Sequence, residues 1–179
     1  MAFTAWSVCR VIDRIDDQEF LGEFKKSLVT YAESIREMMN ETPYGIPYRP
    51  KIWGAGWEIQ GLAVNYYFLY KAFPDLFPED LIMNALNFVL GRHPGSNTAS
   101  FASGVGTVSA TTAYGLNRAD WSYIPGGVIS GTALIRPDFP ELLVFPYLWQ
   151  QTEYVMGGGS SNYMFLVLAA QDILKKKQR

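Results

Sequence analysis

Residues 57–74 run Trp57-Glu58-Ile59-Gln60-Gly61-Leu62-Ala63-Val64-Asn65-Tyr66-Tyr67-Phe68-Leu69-Tyr70-Lys71-Ala72-Phe73-Pro74. Within them Ile59, Leu62, Ala63, Tyr66, Tyr70 and Phe73 recur at helical intervals, which sets an apolar face on a helix of about 3.6 residues per turn. Pro74 closes the run, because the residue before a proline is pushed out of the helical region. The spacing predicts an amphipathic helix, and the same period returns on both sides of it.

Downstream, Ile82, Ala85, Leu86, Val89 and Leu90 form a second stripe, with Pro78 at its start and Gly91 just past its end. Upstream, Phe20, Leu21, Phe24, Leu28, Tyr31, Ile35 and Met38 form another, with Asp16 and Asp17 as cap candidates. Near the C-terminus, Tyr163, Leu166, Val167, Ala170, Ile173 and Leu174 repeat the pattern and end in Lys175, Lys176 and Lys177, cations that suit the negative end of a helix. Phe3 to Ile15 reads as a further helix. The fold class expected is therefore all-α, built from antiparallel helical hairpins.

Between Arg92 and Thr152 the helical period stops. Those sixty-one residues hold seven glycines, six serines and six threonines. Compact domains rarely carry more than about 15 residues without regular structure unless the loop is functional or disordered. Phe101, Tyr114, Trp121, Tyr123, Phe139, Phe145, Tyr147 and Trp149 are too apolar to leave solvated. The segment is expected to be an ordered loop platform at one end of a helical scaffold, with a short strand at Val128 to Ile135. Neither an internal repeat nor a linker is visible, so residues 1–179 read as one domain, helical over 1–91 and 160–177 with the platform at 92–152.

Composition removes several functions. The net charge of -2 and pI near 5.4 supply no basic footprint for nucleic acid. Cys9 is the one cysteine and His93 the one histidine, which excludes an internal disulfide framework, a multi-histidine metal site and a Ser-His-Asp triad of the ordinary kind. Cys9 itself reads as a small core residue. Gly104-Val105-Gly106 is too short for a dinucleotide fingerprint, and no glycine-rich stretch ends in Gly-Lys-Ser/Thr. No cofactor and no metal are expected. Arg10 and Arg14 follow rather than precede the hydrophobic residues at the start, the wrong order for a signal peptide. The longest apolar stretch, Tyr163 to Ala170, falls about ten residues short of a membrane span, so no membrane partner is expected.

What remains are carboxylates among aromatic rings. An aromatic share of 15% places many rings in polar, glycine-rich sequence, where amphipathic faces serve ligand surfaces as readily as cores. Glycosidic cleavage takes a proton donor at the leaving oxygen and a second carboxylate that activates water or attacks. Glu153 stands out, in Trp149-Gln150-Gln151-Thr152-Glu153-Tyr154 before Gly157-Gly158-Gly159 and the last helix. Rings beside a carboxylic acid raise its pKa by desolvation, as a general acid near neutral pH requires. The competing reading is a helix N-terminal carboxylate that satisfies free amides.

The order of motifs along the chain resembles the C-terminal part of glycoside hydrolase family 9. Tyr44-Gly45-Ile46-Pro47-Tyr48 precedes Trp53-Gly54-Ala55-Gly56, then a helix, then Ala85-Leu86-Asn87-Phe88-Val89-Leu90-Gly91-Arg92. The run from Gly95-Ser96-Asn97 to Gly104-Val105-Gly106 is a looser version of the family's Gly-x-Ser-Tyr-Val-Thr-Gly-Phe-Gly. Pro125-Gly126-Gly127-Val128 is similar to its Pro-Gly-x-Leu-Val-Gly-Gly, and Thr152-Glu153 falls where the family has Asn-Glu, whose Glu is the general acid.

The resemblance implies a six-hairpin (α/α) barrel with its active site in loops at one end, of which a chain this long supplies a part. It implies an inverting enzyme acting on β-linked glucan or a related oligosaccharide, with Glu153 as acid and Trp53, Arg92, His93, Asn97, Trp149 and Tyr154 as sugar contacts. His93 stands at the family's Asn position. For Arg92 and His93 the other reading is a cation pairing with the free carbonyls of a helix end; for Trp53 and Trp57 it is packing. Relatives of this kind are usually secreted or periplasmic.

Three departures qualify it. The family's base-bearing Asp-Ala-Gly-Asp-Tyr string is missing; Asp13-x-x-Asp16 has the nearest spacing, and Asp120 and Asp138 are loop carboxylates that could serve as surrogates. Its His-His-Arg motif is missing too, with Asn117-Arg118 as the nearest remnant. The Asp-x-Arg-x-Asp-Tyr run before the acid is replaced by Leu142 to Gln151. The alternative is thus a non-catalytic carbohydrate-binding or assembly protein with a half-barrel. Either way hairpins lacking neighbours would expose apolar stripes, so the expected partners are a sugar polymer or oligomer and an N-terminal half or a second copy of the chain.

Overall fold

A computed structural model describes residues 2–41, 44–49, 54–93, 99–109, 124–131 and 158–178. Five α-helices account for most of them: α1 (Ala2–Cys9), α2 (Gln18–Asn40), α3 (Ala55–Ala72), α4 (Asp80–Val89) and α5 (Gly158–Lys177). A short 3-10 turn (Ile12–Arg14) lies between α1 and α2, so the stretch expected to be one helix is a helix and a turn. Two-residue strands β1 (Ala99–Ser100) and β2 (Val108–Ser109) pair in parallel, and Ala102 bridges Val128 in antiparallel sense. The described residues are all-α in character.

The helix ends follow from local chemistry. Asp17 caps α2, its carboxylate accepting the Phe20 amide at 2.9 Å. Phe73 leaves the helical region ahead of Pro74 and ends α3. At the end of α4 the Arg92 amide donates to the Asn87 carbonyl (2.9 Å) and the Gly91 amide to Phe88 (3.1 Å), with Gly91 at φ +112°. That is a Schellman ending, in which a left-handed residue lets the chain fold back over the last carbonyls. In α5 the helix already includes Gly158 and Gly159 and ends in the three lysines, Lys176 pairing with Asp172 one turn earlier.

α3 is central. It packs on α1, α4 and α5, and α5 also packs on α4. Phe101 lies against Gly56 at the start of α3 and against Phe88 at the end of α4, so these two helices run antiparallel, as expected. Contacts between α3 and α5 advance in step instead. Asn162 lies beside Gly61, Phe165 beside Phe68, and Asp172 beside Tyr67 and Lys71. α5 therefore runs parallel to α3, a departure from the antiparallel expectation. The long connection after α4 returns the chain to the end it left. α2 meets the core from the other end, through Phe24 on Phe73 and Tyr31 on Phe77, and its last turn brings Met39 to Gly45 beside Asn84 of α4.

The buried faces shift slightly from the predicted stripes. Leu28, Ala32 and Ile35 are the buried residues of α2, while Phe20 is exposed and stacks on Phe24. In α5 the inward face is Leu166, Ala169, Ala170 and Ile173, which leaves Val167 and Leu174 outside. Two apolar stripes compete on that helix, and periodicity alone does not say which one meets the core.

Candidate functional site

The parallel α3 and α5 bring two helix N-termini to the same end of the bundle as the C-terminus of α4. At that end the described loop segments form one hydrogen-bonded network. The Phe101 amide donates to Val89 (2.8 Å) and the Thr107 amide to Leu90 (3.0 Å). With the Schellman bonds, the carbonyls of residues 87–90 are all answered by backbone amides. Ile129 donates to Phe101 (2.8 Å), Ser103 to Gly127 (2.9 Å), and the Trp57 amide in the first turn of α3 to Ser130 (3.1 Å). Where a short strand was expected at Val128 to Ile135, the described residues form no strand but an isolated bridge at Val128, and residues 132–135 lie outside the described residues.

Phe101 is the keystone. A Cβ built on Gly56 would stand 2.4 Å from its ring, and one on Gly131, at φ +90°, 2.6 Å. Two glycines thus abut the same edge of one aromatic ring, where the backbones at Gly56 and Gly131 come together. Gly106 serves the α4 end in the same way, since a Cβ there would meet the Leu90 carbonyl at 2.5 Å. Near the ring lies His93, only 4% exposed, its imidazole 4.8 Å from Phe101 and 5.4 Å from Phe88 between centroids. His93 is part of the packing that fastens the loops to α4.

Arg92 is exposed. The alternative of a cation answering the free carbonyls of α4 does not describe it, because backbone amides already occupy those carbonyls. Its guanidinium is left at the surface of the loop end. Trp57, in the first turn of α3, is 44% exposed and offers part of an indole face at the same end. Glu153, Trp149, Tyr154, Trp53 and Asn97 lie outside the described residues, as do Asp120 and Asp138.

Gln60 is the residue that sequence reasoning passed over. It is fully buried on α3, and neither its amide nitrogen nor its amide oxygen has a hydrogen-bond partner. A buried polar group left unsatisfied costs about 1–3 kcal/mol. The only sequence signal is its position between Ile59 and Ala63, a polar residue at the border of an apolar stripe.

Elsewhere the polar groups have structural work. Asp172 on α5 accepts from the Tyr67 hydroxyl (2.9 Å), Lys71 (3.3 Å) and Lys176 (3.4 Å). The Tyr67 hydrogen bond, then Lys71, holds its carboxyl below the usual carboxylate range. Lys177 pairs with Glu79 and ties the end of α5 to the start of α4. Asp13 and Asp16 sit ahead of α2, near the end of α3 that carries Phe73 and away from the loops. Burial raises the Cys9 thiol pKa, in keeping with a partly buried, inert side chain. Among the described residues no three His, Cys, Asp or Glu side chains gather as a metal site, and no helix is long and apolar enough to cross a membrane. No known family, curated protein or solved structure matches this chain.

Proposed function

We propose that the chain is the C-terminal part of an inverting glycoside hydrolase of the family-9 type, acting on β-linked glucan or a related oligosaccharide. The observation that carries the proposal is the convergence of separate motif segments. Gly54-Ala55-Gly56, Leu90-Gly91-Arg92, Phe101 to Gly106 and Pro125 to Val128 are distant in sequence, yet backbone hydrogen bonds gather them at one end of the helices. Glu153 precedes Gly158, the first residue of α5, by five positions.

In this reading Glu153 protonates the glycosidic oxygen as the bond to the anomeric carbon breaks. A second carboxylate, roughly 6.5–9.5 Å away, takes a proton from the water that attacks the opposite face. Exposed Trp57 supplies a ring face for a sugar, and Arg92 donors for hydroxyls. Asp13 and Asp16 do not serve as the base, because α3 is about 27 Å long at 1.5 Å per residue and they lie toward its far end. The base is supplied from outside this chain, by an N-terminal half or another subunit.

The second reading, a non-catalytic carbohydrate-binding or assembly protein, is favoured by the missing base string. Sugar release from β-glucan and mixed-linkage oligosaccharides, measured for the chain and for Glu153→Gln side by side, separates the two. The hydrolase reading expects weak release by the chain, abolished in Glu153→Gln; release that survives the substitution overturns the assignment of the acid. Binding without turnover even after an N-terminal half is supplied selects the second reading, and a ligand at a hundred times its Kd adds about 2.7 kcal/mol to stability. No melting shift with any glycan removes both.

A further inference from the structure

Gln60 and Gly61 are neighbours on α3, and a Cβ on Gly61 would stand 3.6 Å from the Asn162 amide of α5. Gln60 therefore lies at the level where α5 begins, about one turn from the start of each helix, and on the face that seven residues later carries Tyr67 against Phe165 and Asp172 of α5. Cα–Cβ bonds in a helix tilt toward its N-terminus, so the carboxamide leans toward the end where the loop segments converge. Gly61, Gly158 and Gly159 bring no side chains to this part of the seam. Both polar atoms of Gln60 are buried there without a partner.

We propose that Gln60 is a ligand-binding residue, its carboxamide hydrogen-bonding the hydroxyls of a neutral sugar where the first turns of α3 and α5 lie side by side. The proposal rests on the carbohydrate reading above and names a contact within that site. The chemistry of the carboxamide selects the ligand class. It presents N–H donors and a carbonyl acceptor together. An anion answers only the donors, and a cation only the acceptor. Hydroxyls on adjacent sugar carbons both donate and accept, and so answer the whole group. Because Gln60 has no exposed surface, binding includes a local opening of the seam, and association is slower than at an exposed site.

The test compares the full chain with Gln60→Met, which keeps length and removes the carboxamide, using cellotetraose as the probe. Melting temperature without sugar, affinity and association rate are measured for both. The expected result is an unchanged or raised melting temperature in the variant, since no satisfied hydrogen bond is lost, with affinity at least tenfold weaker. Equal affinity in both proteins overturns the role of Gln60 and leaves the carbohydrate reading standing. A lower melting temperature with unaltered affinity overturns it as well, by showing a structural carboxamide. Absence of binding by the wild type to cellotetraose, while other glycans in the panel bind, overturns the neutral β-glucan contact; absence of binding to all of them fails the carbohydrate reading itself. A second measurement covers a variant that does not fold: the Gln60 side-chain NH2 resonances of the wild type shift on adding cellotetraose if the proposal holds and stay in place if it does not.

Discussion

Tyr66 shows how one residue couples packing to pH. Its ring is buried on α3 and its hydroxyl shares a hydrogen bond with Tyr31 of α2. Burial, followed by the nearby Tyr31, raises its pKa far above the ordinary tyrosine value. The folded chain thus holds this proton at pH values where the unfolded chain, titrating near about 10, releases it. The stabilisation is fully present below pH 10 and declines as pH rises beyond it. Urea midpoints measured from pH 8 to 11 are expected to fall in the upper part of that range. Tyr66→Phe flattens this dependence and loses about 0.5–1.5 kcal/mol at neutral pH with the hydrogen bond. An equally steep alkaline fall in the variant would assign it to other groups, such as Tyr67 and Tyr163, whose pKa values burial also raises.

Among the elements, the joint between α3 and the loop strands is the most exacting contact. The Phe101 ring occupies the space a Gly56 side chain would need, and the Trp57–Ser130 hydrogen bond crosses the same place. Gly56→Ala overpacks this joint and is expected to cost about 1–3 kcal/mol, read as a lower urea midpoint. Pairing it with Phe101→Leu should recover part of the loss, because the two sites share one volume. Additive losses would show that the ring does not limit the approach of loop and helix. The Schellman ending of α4 belongs to the same scale. By answering its own carbonyls with backbone amides it frees the Arg92 side chain for the surface, which the composition of residues 91–93 does not reveal.

For the molecule as a whole, the outer face of α5 is the feature that demands a consequence. Met164 is 61% and Leu168 64% exposed, with Val167 and Leu174 beside them. Scattered apolar residues on a surface are ordinary, but Met164, Val167 and Leu168 grouped on one helix face, with Leu174 two turns on, favour association. Sedimentation velocity is expected to show a mass that rises with concentration, and the pair Met164→Lys and Leu168→Lys is expected to hold the chain monomeric. A wild type that stays monomeric at high concentration argues against association through this face. It would leave an N-terminal half as the partner the hydrolase reading requires.

Helix positions after the first are legible in the chain alone. Apolar period, the Asp17 cap, Pro74 and Gly91 act within a turn or two of their own position, so each is legible without knowing what lies across the core. The segments without helical period are legible in the same way, because that signal too is local. Long-range packing set the parallel course of α5 beside α3, turned Leu166, Ala169, Ala170 and Ile173 rather than Val167 and Leu174 inward, and made Phe101 join three elements. It also decided that His93 is packed between rings while Arg92 is exposed, and that Gln60 is buried without a partner. Each of these depends on residues far apart in the chain meeting across a contact, and side-chain spacing along one helix holds no information about which neighbour arrives on which face.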